Sequence, residues 1–325
     1  MNVLVLSYDD VVRLLPMEAC IEIMAEALRT TSRGGAVLPL RSVVWMPDRT
    51  GMIGLMPGFL EAPVSLGLKV VSIFPGNHGT GFDSHQGVIM LFDTRHGSPQ
   101  AIIDASSITA IRTAAVSGVA TRVLARDDAG DLAILGSGVQ AATHLAAMRA
   151  VRRLRRVRVW SRNPANAKRF ADKAPIPVEV APSARAAVEG ADLVCTTTAS
   201  REPILEGAWL APGAHVNAVG ACFAATRELD TPAVARSRLI VDRKESTLAE
   251  SGDFLLARAD GAIGDDHILG ELGSLLLGEI VGRRTDEEVT LYKSLGIAIQ
   301  DLAAAHFVYA QAVARGGGMS VPLGA

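Results

Sequence analysis

The feature that most constrains the fold is an alternation of short apolar runs and helical patterns that begins at Asp131. Six runs have the composition of β-strands and are separated by helix-like stretches: DLAIL, VRVWS, VEVA, DLVCTTT, HVNAVG and SRLIVD. Such alternation is typical of a parallel doubly wound sheet with helices on its faces. The sequence therefore predicts an α/β fold for this half of the chain.

A glycine-rich turn joins the first of these strands to the next helix. In LAILGSGVQAATHLAAM, Gly136, Gly138 and Ala141 form G-x-G-x-x-A between a strand pattern and a helical one. The first glycine permits a tight turn, the second lets N–H groups approach a pyrophosphate, and the small third residue lets helix and strand pack closely. With five further strands in alternation, the motif indicates a Rossmann-type dinucleotide-binding domain over an ordinary βα turn.

The end of the second strand reads VWSRNP and bears on the choice of cofactor. An acidic residue here selects NAD through the ribose 2′-hydroxyl, whereas a basic or small polar residue admits a 2′-phosphate. Ser161, Arg162 and Asn163 offer a hydroxyl, a guanidinium and an amide, with no carboxylate. NADPH is therefore favoured and NADH stays possible, with the alternative that Arg162 points into solvent.

The N-terminal part has a different character. MNVLVLS predicts a short strand, and YDDVVRLLPMEACIEIMAEALRTTSRG predicts an amphipathic helix that ends at Gly34 and Gly35. Residues 36–103 contain β-type runs broken by Gly and Pro, with hairpin-like connections such as DTRHGSP. They predict a smaller α+β domain with a mostly antiparallel sheet.

Two helical segments complete the expected organisation. Residues 105–126 begin with serines suited to capping and continue as an Ala-rich helix that leads into the second domain. Residues 286–314 are expected to form a long helix, or a pair of helices, that returns to the first domain. We place the substrate-binding and dimerisation domain at 1–115 and 300–325, and the Rossmann domain at 116–299.

Composition limits the partners. With 32 basic and 34 acidic residues the formal net charge is −2, so no global field attracts nucleic acid or an anionic membrane. The basic run RRLRRVR at 152–158 is expected to be a solvated face at a helix end. No apolar run is long enough to span a bilayer, and three scattered cysteines and seven scattered histidines show no metal-ligand spacing. We expect a cytoplasmic enzyme with a small-molecule partner and no metal.

Three basic residues interrupt apolar stretches and are candidates for holding a small carboxylate substrate. They are Arg41 in LPLRSVVW, Lys69 in LGLKVVSI and Arg112 in TAIRTAAV. A charge in such surroundings requires a ligand or a counter-ion, so a structural salt bridge is the alternative for each. His85 in GFDSHQGVIM is a possible proton donor, or simply a hydrogen-bonded residue before a strand.

Several stretches together resemble the ornithine cyclodeaminase and mu-crystallin family across nearly the whole chain. They are GLKVVSIFPGN, ITAIRTAAVSG, ILGSGVQA, PGAHVNAVGA, ESGDF and YKSLGIAIQD. The family includes cyclodeaminases, ketimine reductases and some alanine dehydrogenases. The resemblance implies a homodimer in which a substrate domain, completed by the C-terminal helix, carries an inserted Rossmann domain.

The resemblance also implies roles for individual residues. Arg41 and Arg112 would hold the substrate carboxylate, with Lys69 near the reacting nitrogen. Thr113 would face a cofactor phosphate, and the nicotinamide end would be lined by Ala218, Val219 and Ser294. The pyrophosphate turn would be formed by Gly136, Ser137, Gly138, Val139 and Gln140, and the 2′-phosphate site by Ser161 and Arg162. Asn163 and Thr198 are further candidates for cofactor contacts.

One position departs from the cyclodeaminase pattern. Those enzymes carry a proton-handling aspartate two residues beyond the glycine of the VG pair, where this chain has Cys222 in VGACFAATRE. Cys222 is expected to be a small neutral wall of the substrate site beside the nicotinamide, with nucleophilic catalysis as a minor alternative. The absence of this acid and of a ribose-binding acid favours net use of NADPH.

The sequence therefore predicts NADPH-dependent reduction of a cyclic ketimine, Δ1-pyrroline-2-carboxylate or Δ1-piperideine-2-carboxylate, to L-proline or L-pipecolate. Lys69 and Arg112 are the predicted catalytic residues. One alternative is a cyclodeaminase or amino-acid dehydrogenase in which Asp83 or His85 replaces the missing aspartate. A non-catalytic carrier of NADPH or another small ligand is an alternative of another class.

Overall fold

The computed structural model describes residues 2–77 and 79–323. The chain divides into two compact units, residues 1–112 with 297–325 (unit 1) and residues 113–296 (unit 2). Both boundaries lie three residues before those drawn from the sequence. The first boundary falls inside one continuous helix, where sequence periodicity gives no sign of a change of unit. His78, one of the seven histidines, lies outside the described residues.

In the described part of the chain the strands are β1 Asn2–Leu6, β2 Ala36–Val37, β3 Ser42–Trp45, β4 Met52–Glu61, β5 Val64–Ile73, β6 His85–Phe92, β7 Pro99–Asp104, β8 Asp131–Leu135, β9 Arg156–Trp160, β10 Glu179–Val180, β11 Leu193–Thr196, β12 His215–Ala218, β13 Ser237–Val241, β14 Ile268–Glu271, β15 Val289–Lys293 and β16 Met319–Pro322. The α-helices are α1 Tyr8–Leu14, α2 Met17–Ser32, α3 Ala105–Leu124, α4 Val139–Val151, α5 Pro164–Lys173, α6 Ala184–Val188, α7 Thr231–Ala235, α8 Lys244–Glu250, α9 Gly252–Ala259, α10 Leu272–Leu276 and α11 Ala298–Arg315.

Unit 1 is built on a sheet in the order β16-β1-β7-β6-β5-β4-β2, with β3 also paired to β4. Its pairs are antiparallel apart from β1 with β7. Helix α11 packs closely on β4 and β5, because a Cβ added at Gly58 or Gly67 would lie 3.2 or 2.6 Å from side-chain atoms of that helix. The predicted mostly antiparallel sheet is present.

Unit 2 contains a parallel sheet in the order β10-β9-β8-β11-β12-β15-β13-β14. From β8 the chain first runs outward to β9 and β10, and then returns to add β11 on the other side. This reversal is the topological switch point at which open α/β sheets bind ligands. The predicted α/β class with a Rossmann-type doubly wound sheet is confirmed.

The expected helix at 286–314 is wrong in its first part. Val289–Lys293 is a fully buried strand between β12 and β13, and α11 begins only at Ala298. A short apolar run such as VTLYK does not distinguish a buried strand from a buried helix. β14 and β16 were not predicted either.

The starts of helices α2 and α3 differ from the sequence predictions. The predicted N-terminal helix is two helices, because Pro16 takes extended backbone as the N-cap of α2. The serines at the start of α3 do not cap it: Asp104 Oδ1 accepts from the Ser107 amide at 2.7 Å. An aspartate is an equally good cap, so the helix start was recognised but its cap was misassigned.

The basic run at 152–158 is only partly a solvated face. Helix α4 ends at Val151, and Arg156 already begins β9. Arg158 is 5% exposed and donates to the carbonyls of Ala186 and Glu189, and Arg152 donates to several carbonyls around α3. These two arginines are structural, because buried carbonyls need donors.

Candidate active site

The glycine turn of unit 2 has the geometry that a pyrophosphate site requires. Gly136 has φ +121°, and a Cβ there would lie 2.5 Å from Thr197 Oγ1, so only glycine fits. Gly138 is the N-cap of α4 without a side-chain cap, and a Cβ at this residue would meet no atom within 4 Å. Ala141 is fully buried. The uncapped amides and the open space fit a dinucleotide pyrophosphate.

The neighbouring predicted contacts differ in exposure. Val139 is 64% exposed, and Ser137 and Gln140 are half-buried. Thr113 is 6% exposed in α3, the helix that also places Ser117 Oγ 2.9 Å from His144 Nε2 of α4. His144 Nδ1 lies 2.7 Å from the Gln140 carbonyl, so this buried histidine connects the start of α4 to α3.

The three residues after β9 are not equivalent. Arg162 is exposed and forms no hydrogen bond or ion pair with the described residues. Ser161 is half-buried, whereas Asn163 caps α5 by accepting from the Ala165 amide at 3.0 Å. The side-chain oxygen of Asn163 is thus engaged in helix capping, which the sequence had not indicated.

The residues expected at the nicotinamide end gather at the carboxyl ends of three adjacent strands. The Ser294 amide donates to the Ala218 carbonyl at 3.0 Å, and the Val219 amide donates to the Thr196 carbonyl at 3.0 Å. Cys222 is half-buried, and its Sγ donates to the Val219 carbonyl at 3.2 Å. Thr198 is engaged by Glu228 through its amide at 2.6 Å and its hydroxyl at 2.7 Å.

In unit 1, Lys69 and Arg112 converge on one buried carboxylate. Lys69 Nζ lies 2.7 Å from Asp301 Oδ2, and Arg112 Nε donates to Asp301 Oδ1 at 2.8 Å. Arg112 Nη1 also donates to Gln300 Oε1 at 2.8 Å. The side chains of Lys69, Arg112 and Asp301 are 4%, 5% and 0% exposed. Both basic residues therefore form ion pairs, with Asp301 as their shared counter-ion.

This cluster alters proton affinities within it. Burial lowers the pKa of Lys69 to about 8; Asp301 opposes the change, and the positive charges of Arg112 and Arg41 reinforce it. Burial alone would raise the pKa of Asp301, but Arg112 and Lys69 outweigh it and keep that pKa low. Asp301 therefore stays ionised, while Lys69 can exchange a proton near neutral pH.

The other two candidates of unit 1 lie at its margin. Arg41 is half-buried and near enough to influence Lys69 electrostatically. His85 is exposed at the start of β6, with Nδ1 3.1 Å from Ser84 Oγ. In the β5–β6 register His85 is opposite Ile73, whereas Lys69 is opposite Ile89, a separation of roughly 13 Å along the strand. Asp83 is also exposed. The structure thus does not bring His85 into the cluster.

Sequence reasoning missed Asp301 and Gln300, although both lie in the quoted stretch IAIQD. Both are fully buried at the start of α11, and Gln300 Nε2 has no hydrogen-bond partner among the described residues. The available signal was an acid within an otherwise apolar helix, AIQDLAAAHF, which requires a buried cationic partner.

No group of three or more His, Cys, Asp or Glu residues in the part of the chain that the structure describes could hold a metal ion. Among the helices of residues 2–77 and 79–323, none combines the length and apolarity needed to cross a membrane.

The doubly wound sheet and its open glycine turn define the class first, a dinucleotide-binding α/β protein. The sequence profile of the ornithine cyclodeaminase/mu-crystallin family matches residues 1–316, and the chain belongs to this family. The resemblance inferred from the sequence is thereby confirmed.

Three known proteins are highly similar. The ketimine reductase mu-crystallin of Mus musculus is 42% identical over 276 residues, 85% of each chain. The structure of Thermococcus litoralis Δ1-pyrroline-2-carboxylate reductase with NADH and L-proline has a TM-score of 0.95 at 39% identity, covering 98% of this chain and 100% of that one. An archaeal alanine dehydrogenase dimer with bound NAD has a TM-score of 0.94 at 31% identity and covers 100% of both chains.

These relatives confirm the prediction that the chain is a nicotinamide-dependent oxidoreductase acting on carbon–nitrogen bonds. The two solved relatives contain NADH and NAD, so they do not distinguish NADPH from NADH for this chain.

Proposed function

We propose that the protein reduces a cyclic ketimine carboxylate, Δ1-pyrroline-2-carboxylate or Δ1-piperideine-2-carboxylate, with NADPH as the preferred cofactor. The observation that carries this proposal is the buried cluster of Lys69, Arg112 and Asp301 in unit 1. Two basic groups share one carboxylate in this cluster, and such a surplus of positive charge favours a small carboxylate.

Each member of the cluster has a defined task. Arg112 donates a hydrogen bond from Nε to Asp301 and another from Nη1 to Gln300. Its third nitrogen, Nη2, donates to no described residue. Arg112 and Arg41 would bind the substrate carboxylate, and Gln300 Nε2 is a further buried donor. Asp301 fixes the positions of Lys69 and Arg112 and balances part of their charge.

Lys69 would manage the proton at the imine nitrogen. A protonated C=N bond is a strong hydride acceptor, and an ammonium with a pKa of about 8 can donate to that nitrogen at neutral pH. When bound, the reduced nicotinamide supplies the hydride that the imine carbon accepts, which converts C=N to CH–NH. The remaining task is to orient the substrate and exclude water, and buried side chains held by ion pairs are suited to it.

The cofactor proposal rests on unit 2. Gly136, Gly138 and the start of α4 would hold the pyrophosphate, and Arg162 would bind the 2′-phosphate. Arg162 suits this role because it is exposed and has no counter-ion among the described residues. No carboxylate occurs in the SRN sequence that follows β9 to repel a phosphate.

A substrate panel tests the proposal. Purified protein should oxidise NADPH with a five- or six-membered cyclic imine carboxylate and release no ammonia from ornithine. Ammonia release from ornithine with catalytic NAD would instead identify a cyclodeaminase. Tight NADPH binding without turnover of any imine or oxo acid would identify a carrier.

We further propose that two copies of the chain form a dimer through one face of the unit 1 sheet. Rows of apolar residues cross β4, β5 and β6 in register, for example Leu55, Val70 and Val88, or Phe59, Leu66 and Phe92. These side chains are half-buried or exposed, on the face opposite the buried residues of β4. A contiguous apolar face of this kind favours association, and the alanine dehydrogenase relative is a dimer.

The dimer is tested by mass in solution. Wild-type protein should have twice the chain mass of 34.1 kDa. Met90→Lys, which places a charge on this face, should give the monomer mass. Val313→Lys, at an exposed position of α11, is the matched control and should leave the mass unchanged. A monomeric wild type would contradict the proposal.

A further inference from the structure

Glu228 is a fully buried carboxylate that the chemistry above does not use. Its Oε1 accepts from the amide and hydroxyl of Thr198 at 2.6 and 2.7 Å. Its Oε2 accepts from the Thr196 hydroxyl at 2.8 Å and from the Gly220 amide at 2.7 Å. One side chain therefore connects the segment that leaves β11 to the segment that leaves β12.

These two segments carry the residues assigned to the nicotinamide end. Val219 precedes Gly220, and Thr198 is itself among the proposed cofactor contacts. The backbones approach closely: a Cβ added at Gly220 would lie 1.9 Å from the Thr198 carbonyl oxygen. The two segments therefore lie directly against each other, and Glu228 forms hydrogen bonds to both of them.

The site around Glu228 requires a carboxylate. Both backbone partners are N–H donors, and an amide side chain would have to turn its NH2 group toward one of them. Glu228 is in turn fixed by Asp253, whose Oδ1 accepts from the amides of Glu228 and Leu229 at 2.8 and 3.0 Å. Asp253 Oδ2 pairs with the buried Lys293 Nζ at 2.9 Å. Burial and the negative charge of Asp253 raise the pKa of Glu228.

We propose that Glu228 is a positioning residue for the nicotinamide: it holds the Thr196–Thr198 segment and Gly220 in the arrangement that binds this end of the cofactor and aligns it for hydride transfer. This inference rests on the proposed function for the transfer step, but not for cofactor binding. It also assigns Asp253, in the stretch ESGDF, to support of Glu228.

Binding measurements test the inference without substrate. Glu228→Gln should raise the dissociation constant of NADPH or NADH several-fold and leave that of the matching nicotinamide-free ligand, 2′-phospho-ADP-ribose or ADP-ribose, unchanged. Thr196→Val removes one of the four hydrogen bonds to the Glu228 carboxylate with little change of side-chain shape. It should also weaken binding of NADPH or NADH relative to the nicotinamide-free ligand, but by less than Glu228→Gln. This second variant keeps the test decisive if Glu228→Gln does not fold.

Asp192→Asn is the matched control. Asp192 precedes β11 at the opposite end of the strand, where Oδ2 accepts from the amides of Gly130 and Asp131. The Asp192→Asn variant should have a lower melting temperature, with unchanged turnover and unchanged dissociation constants for the cofactor and for the nicotinamide-free ligand. Glu228→Gln should also lower kcat by about tenfold to a hundredfold, with a larger isotope effect from NADPH deuterated at both C4 positions, because misalignment slows the transfer step.

Each result bears on the inference. An equal loss of affinity for both kinds of ligand, or a lower melting temperature with unchanged affinities, would overturn it. If the wild-type protein reduces no imine but Glu228→Gln loses only nicotinamide-dependent affinity, the proposed reaction fails and the positioning role stands.

Discussion

At the scale of single residues, the structure explains why charges occur in apolar stretches. Lys69 and Arg112 could be found from the sequence because an unpaired charge is costly in such surroundings. Their partner Asp301 could have been found by the same reasoning applied to α11. The connection among the three could not, because their places in the chain, 69, 112 and 301, give no sign that they meet.

The first residue-scale prediction concerns Lys69. With a pKa of about 8, Lys69 is protonated below that pH, so turnover in the reductive direction should fall as the pH rises through about 8. Lys69→Met should lower kcat by roughly a hundredfold or more and abolish the fall of turnover above about pH 8, with little change in cofactor binding. Lys173→Met, on the exposed side of α5, is the control. Unchanged turnover in Lys69→Met would remove Lys69 from the chemistry.

The second residue-scale prediction concerns Arg162. Loss of a charged hydrogen bond to phosphate should make Arg162→Ala raise the KM for NADPH by roughly tenfold, with little effect on NADH. Arg169→Ala, an exposed arginine of α5, should change neither value. Steady-state kinetics with both cofactors measures the ratio, and equal effects of Arg162→Ala on the two would argue against a 2′-phosphate site.

At the scale of elements, the Rossmann-type unit was largely predictable because its glycine motif and strand spacing reinforce each other. The strand β15 was not, since five buried residues carry no period that excludes a helix. The break at Pro16 has a sequence signal, the proline itself, but the helical spacing of apolar residues continues on both sides of it and favours a single helix.

The glycine turn provides the element-scale prediction. Gly136→Ala should destabilise the protein by about 1–3 kcal/mol, because the residue has positive φ and its Cβ would approach Thr197. Gly138→Ala should leave thermal stability nearly unchanged, because its Cβ meets nothing, yet weaken dinucleotide binding by filling the open space. Calorimetry and cofactor titration measure the two effects. Equal losses of stability would contradict this account of the turn.

At the scale of the whole molecule, two buried histidines of unit 2 should control acid stability. Burial lowers the pKa of His144 to about 4 and that of His215 to about 3. Both values lie below the ordinary 6.5, so the unfolded chain binds these protons first as the pH falls. The free energy of unfolding should therefore fall by about 1.4 kcal/mol for each histidine and each pH unit, from pH 6.5 down to the pKa of that histidine in the folded protein. The raised pKa of Glu228 opposes part of this loss.

Urea unfolding between pH 7.5 and 5 tests this prediction. The midpoint should fall steadily below pH 6.5, and His144→Gln should reduce the slope. The control His96→Gln, an exposed position in the β6–β7 turn, should retain the wild-type slope. A midpoint that does not change over this range would contradict a neutral, buried state for His144 and His215.

The reaction as a whole was predicted from the combination of a dinucleotide unit, basic substrate residues and the neutral Cys222. The most direct test is isotopic. Incubated with NADPH that carries deuterium at both C4 positions and with Δ1-pyrroline-2-carboxylate or Δ1-piperideine-2-carboxylate, the protein should yield L-proline or L-pipecolate with one deuterium on the α-carbon. No cofactor oxidation with either imine, or a product without deuterium at that carbon, would contradict the proposed hydride transfer.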